Sequence, residues 1–172
     1  MKLSRLTIFF GLFIIASASF MRQVLDFVYV RLSKQTTVTL FGICFVMIFL
    51  IIMWRFARSS AGIKRKIIFF VVLLAGFYFS WQLKILAERF HILEYGLLGY
   101  LAGRDLFKES LGLKTVILLI LVVAIFAFLD EGFQYFLPYR VYDARDIIFN
   151  LIGGLWGAGL FLIKKRSNPK TA

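Results

Sequence analysis

Apolar residues along the chain gather into long runs without charge: Leu6–Met21, Gln35–Trp54, Ile67–Leu83, Thr115–Leu129 and Ile147–Ile163. A helix rises about 1.5 Å per residue and the hydrocarbon layer is roughly 30 Å thick, so runs of about 15 to 20 residues cross it with help from snorkelling ends. A sixth helix is predicted over Lys84–Gly103, which carries Glu88, Arg89, His91 and Glu94 in its first half and turns apolar and glycine-rich in its second. Ionisable groups facing lipid are costly, so its polar half is expected to face protein or a wet cavity. No segment alternates at period two over the length of a barrel strand, which argues against a β-barrel. The pattern predicts an all-α fold, a polytopic transmembrane bundle of about six helices. It would have five if the first run is a cleaved signal, since Lys2 and Arg5, an apolar run and Ala16-Ser17-Ala18 form the three-part signal pattern.

Composition agrees with the pattern. Of 172 residues 61% are hydrophobic and 17% charged, against about half and a quarter in soluble domains. The mean hydropathy is +0.87. The formal net charge of +12 would suggest nucleic acid in a soluble chain; here it points to orientation and contact with anionic membrane lipid, and no nucleic-acid partner is expected. The single cysteine, Cys44, lies in mid-helix and reads as a packing residue.

Six helices starting in the cytoplasm put fourteen of the 21 basic residues inside: Lys2 and Arg5, the Arg55–Lys66 group, Arg104, Lys108 and Lys114, and the tail from Lys164. The expected localisation is therefore the inner or plasma membrane, multi-pass, with both termini cytoplasmic. Seven of the nine acidic residues fall on the outer side, and acids do little to set topology, so their concentration suggests a functional site there.

Three helix ends supply that site. On the fourth predicted helix Glu88, His91 and Tyr95 share a sector of about 60°, with Gly96, Gly99 and Gly103 in or beside it. At the end of the fifth, Asp130 and Gln134 lie one turn apart with Glu131 beside them, costly after an apolar run unless solvated, paired or metal-bound. On the last, Asp146, Asn150, Gly153 and Gly157 form another stripe of about 60°. Two faces that are polar outside and small inside can pack closely and bring their polar ends together. Arg140 sits in the connecting link, placed to hold a carboxylate or phosphate. Each feature also has a structural explanation: a buried His91–Glu88 pair, helix ends that hold charges on leaving the membrane, and Asp143 as the N-cap of the last helix.

Taken in order, Glu88-x-x-His91-x-x-x-Tyr95, Asp130-Glu131-x-x-Gln134, Pro138-x-Arg140 and Asp146-x-x-x-Asn150-x-x-Gly153 resemble the VanZ-like family of membrane proteins. The resemblance covers residues 84–165. It leaves residues 1–83 as helices without a recognised motif and 166–172 as a basic cytoplasmic tail. Relatives look to have an Asp-Lys type of pair before the histidine region, where this chain has Glu88 and Arg89 offset from it. The resemblance implies a bacterial or archaeal cell-envelope protein and, by analogy with the family's namesake, a link to glycopeptide (teicoplanin) resistance.

Three functions follow from the same residues. An enzyme of the outer face would use Glu88, His91, Asp130, Glu131 and Asp146 as acid–base groups or ligands of a divalent cation. Tyr95, Gln134, Arg140 and Asn150 would then bind a lipid-linked envelope precursor. With His91 the only histidine, magnesium or calcium suits the set better than zinc. A non-catalytic binder of membrane lipid, envelope precursor or lipoglycopeptide needs the same cavity without the acid–base chemistry. Ion-coupled transport would need polar groups across the bilayer, and they gather on one side.

Overall fold

A computed structural model describes residues 2–83, 85–107, 112–139 and 143–165. The described chain is helical: α1 Arg5–Ser17, α2 Met21–Leu32, α3 Lys34–Ala57, α4 Ile63–Gln82, α5 Leu86–Leu106, α6 Leu113–Tyr135 and α7 Ala144–Lys165. By length and apolarity α3, α6 and α7 can each cross a membrane, and α1 with α2 would make a fourth span bent by 60°.

The first apolar run differs from its expected form. It was expected to continue to Met21, but α1 ends at Ser17 and is about 20 Å long. Serine accounts for the break. Ser17 Oγ donates to the Ile14 carbonyl and Ser19 Oγ to the Ala16 carbonyl, at 2.7 Å each, an alternative to continuing the helical ladder. The chain then turns into α2, a seventh helix the apolar runs did not predict. Arg22, Asp26 and Arg31 interrupt its apolar residues, and none of its residues is buried.

Contacts between helix ends gather the chain at two poles. At one pole Asp105 at the end of α5 accepts from the Ser4 amide (2.8 Å) and the Thr7 hydroxyl (2.5 Å) of α1. Arg104 reaches Ser4 Oγ, Lys66 of α4 donates to Ala57 at the end of α3, and Lys165 of α7 donates to the Phe107 carbonyl. At the other pole the Tyr139 hydroxyl donates to the Ser19 carbonyl, Arg22 donates to the Tyr139 carbonyl, and Ser80 of α4 donates to the Arg89 carbonyl of α5. Apart from α2, successive helices therefore alternate between the poles. α5 and α7 run in the same direction.

The α5–α7 pair has the most extensive packing in the bundle. On one side, α3 and α4 close an aromatic core of Phe45, Phe56, Phe69 and Phe77 onto Leu160. On the other, α1 and α6 pack Ile14, Val123 and Ala127 against Tyr95 and Leu98. This central position explains why α5 tolerates charge, since its polar residues meet other helices. Large apolar side chains cover the outside, with Phe9, Val71, Phe128 and Val30 all more than half exposed, as a lipid-facing surface requires.

Candidate functional site at the Tyr139 pole

Glycine sets the geometry. A Cβ on Gly157 would overlap the Gly96 carbonyl, and one on Gly99 would overlap the backbone of Gly154. Gly153 is nearly as close, since its Cβ would lie 2.8 Å from the Ile92 oxygen, whereas Gly103 has room, 3.5 Å from Ala158. The two helices meet backbone to backbone, as small residues at a helix interface allow. With Gly153 beside Ile92 and Lys165 beside Phe107, the parallel register sets Asn150 level with His91, and Asp146 level with Glu88. Glu88 and Asp146 both act electrostatically on Arg145.

α6 brings its polar end to the same level. His91 Nδ1 lies 3.7 Å from Glu94 Oε2 and 3.8 Å from Asp130 Oδ2. The Tyr95 hydroxyl donates to Asp130 Oδ2 at 3.4 Å. Gln134 Nε2 donates to Glu131 Oε1 at 3.3 Å, and Glu131 Oε2 accepts from the Asp143 amide at 3.5 Å. Asp130, Glu131, Tyr95 and Asn150 are all fully buried, and Gln134 is buried. The Asn150 amide makes no hydrogen bond among the described residues. Glu88 and Asp146 are half-buried at the rim.

Asp143 has a local job. Its Oδ1 accepts from the Arg145 amide at 2.9 Å, capping α7, and its carboxylate clamps the Arg145 guanidinium. Hydrogen bonds from Arg145 hold this carboxyl below the usual aspartate range. Arg140 lies outside the described residues, as does the 166–172 tail. Glu94 was not among the expected site residues, though its i,i+3 spacing from His91 was visible in the chain. Among the described residues no three His, Cys, Asp or Glu groups converge to hold a metal ion.

A partly buried histidine facing two carboxylates, with a phenol, two amides and a third carboxylate close by, can exchange protons and can bind hydroxyls and amides. Together with the apolar exposed faces of the helical bundle, this describes a membrane protein with a cluster of polar side chains at one pole. A family model described as VanZ/LLP1 matches residues 6–165, and the chain belongs to this VanZ-like family. The match runs through the N-terminal helices as well as the segment that carries the motifs. No curated protein and no solved structure matches the chain.

Proposed function

We propose that this VanZ-family protein spans the plasma membrane several times with both termini in the cytoplasm. We further propose that its cluster around His91, Asp130 and Asn150 opens outward and holds the polar headgroup of a lipid-linked envelope component. The observation that carries the proposal is the burial of two adjacent carboxylates and an unpartnered amide inside an otherwise apolar bundle. Burying an unpaired amide in an apolar medium costs roughly 2–7 kcal/mol, so a ligand that hydrogen-bonds Asn150 beside the two carboxylates is favoured over a purely packing role. Sugar or peptide headgroups offer matching donors and acceptors, and a lipid tail would lie along the apolar surface. A lipophilic glycopeptide has the same combination of groups. Acid–base catalysis is the second reading, favoured by His91 lying between Glu94 and Asp130.

Orientation is tested by single cysteines in a Cys44→Ser background. A cysteine at Tyr139 should react with a membrane-impermeant maleimide in intact cells, and one at Ser60 only after permeabilisation. The reverse pattern would overturn the topology.

The site is tested by titrating the purified protein with a polyprenyl-pyrophosphate-linked disaccharide. Asp146→Asn should weaken binding at least about tenfold, the equivalent of 1.4 kcal/mol. Asp143→Asn should change it little, because asparagine also caps helices. Equal, mild effects would remove Asp146 from the site, and no binding by the parent protein would overturn this ligand class.

A further inference from the structure

One cavity in the bundle lies away from the polar cluster. It measures about 760 Å³ and lies between α3, α4, α5 and α7, towards the Asp105 pole. Trp156 lines it. Its indole Nε1 donates to the Val72 carbonyl at 2.8 Å, and its ring fills the space where Gly76 and Gly96 have no side chains. The ring thus sits between α4 and α5, and the cavity is also lined by Phe77, Leu73, Leu93 and Leu160. Along α4 it extends from Phe69 to Phe77, about 12 Å. Its size falls within the range of small-ligand sites, roughly 300–1,000 Å³.

The chemistry of the cavity changes from one end to the other. Beyond its apolar length it reaches the hydroxyls of Ser59, Ser60 and Tyr100 and the cations Arg55 and Lys164, and among the described residues no carboxylate lines it. Lys164 Nζ donates to the Tyr100 hydroxyl at 2.8 Å, which places its charge beside the mouth. Arg58, Lys64 and Arg65 lie in the neighbouring turns of α3 and α4 and add positive potential at the same pole. Ile48 and Leu97 line the cavity and are also about half exposed, so it reaches the lipid-facing surface of the bundle.

An apolar slot with a doubly cationic mouth at a membrane surface is complementary to a hydrocarbon chain bearing an anionic head. We infer that this cavity binds one acyl chain of an anionic phospholipid, with the lipid phosphate held between Arg55 and Lys164. A soluble anion would leave the apolar walls unused, and a zwitterionic lipid would offset the cations only in part. The site is separate from the His91 cluster and requires only that the bundle sits in a membrane, so it can fail or hold independently of the headgroup proposal.

Native mass spectrometry of the detergent-purified chain tests this with three probes: dioctanoyl phosphatidylglycerol, dioctanoyl phosphatidylcholine and inorganic phosphate. A one-to-one phosphatidylglycerol adduct is expected, about tenfold stronger than the phosphatidylcholine adduct, with no phosphate adduct. The R55Q/K164Q double variant should lower phosphatidylglycerol binding to the phosphatidylcholine level. R31Q/K34Q, which removes the same charge at the other pole, should not. Ile52→Trp should fill the slot and abolish both lipid adducts; if it does not fold, Leu97→Trp blocks the cavity from its exposed side. Equal affinity for the two lipids, a phosphate adduct of the same strength, or phosphatidylglycerol binding unchanged in R55Q/K164Q would each overturn the inference.

Discussion

Gly157→Ala is expected to prevent the bundle from assembling, although it adds a single methyl group. The added carbon would overlap the Gly96 carbonyl, and backbone on backbone cannot relieve the clash by a change of rotamer. α5 and α7 would have to separate, and with them the most extensive contact in the fold. Overpacking a core typically costs about 1–3 kcal/mol when side chains can adjust. Here the cost should exceed that range, and Gly157→Leu should be worse still. Gly159, on the same helix, has nothing within 4 Å of its Cβ position, so Gly159→Ala should be neutral or stabilising by up to about 1 kcal/mol. Gly103→Ala should fall between them, in ordinary van der Waals contact. Thermal unfolding in detergent, followed by size-exclusion or tryptophan fluorescence, separates the three. If Gly157→Ala melts with Gly159→Ala, the close approach of α5 and α7 is wrong.

Asp130→Asn is expected to weaken ligand binding while leaving the protein folded. The substitution keeps the shape and replaces one fully buried carboxyl group with an amide. If Asp130 serves a ligand, the loss of a charge-assisted hydrogen bond, about 1.5–3 kcal/mol, should weaken binding about ten- to a hundredfold. Thermal stability should hold or rise, because the desolvation cost of the carboxylate disappears. Glu131→Gln should behave in the same direction. The opposite outcome is equally definite. If Asp130 is held for an ion pair with His91, breaking that pair should destabilise the protein by about 3–5 kcal/mol. Binding would then fall only as far as folding does, and His91→Gln combined with Asp130→Asn would recover part of the stability.

Much of this architecture is legible in the chain because a membrane imposes simple conditions. Uncharged runs of spanning length, basic residues at alternate ends and glycines spaced at the helical period are local properties, and they specify α3, α6 and α7 and the small faces of α5 and α7. The candidate site residues were visible for the same reason, since a carboxylate such as Asp130 next to an apolar helix stands out. Other features depend on neighbours. The break after Ser17 depends on serine hydroxyls turning back onto carbonyls, which hydropathy does not register. Nothing in the sequence singles out Asp105, and only the arrival of Ser4 and Thr7 from about a hundred residues away makes it the anchor of α1. The parallel register that sets Asn150 level with His91 is decided by which glycine meets which carbonyl, a choice between stripes that are alike in the sequence. The cavity beside Trp156 is lined by residues of α3, α4, α5 and α7, and a void between four helices belongs to packing in three dimensions.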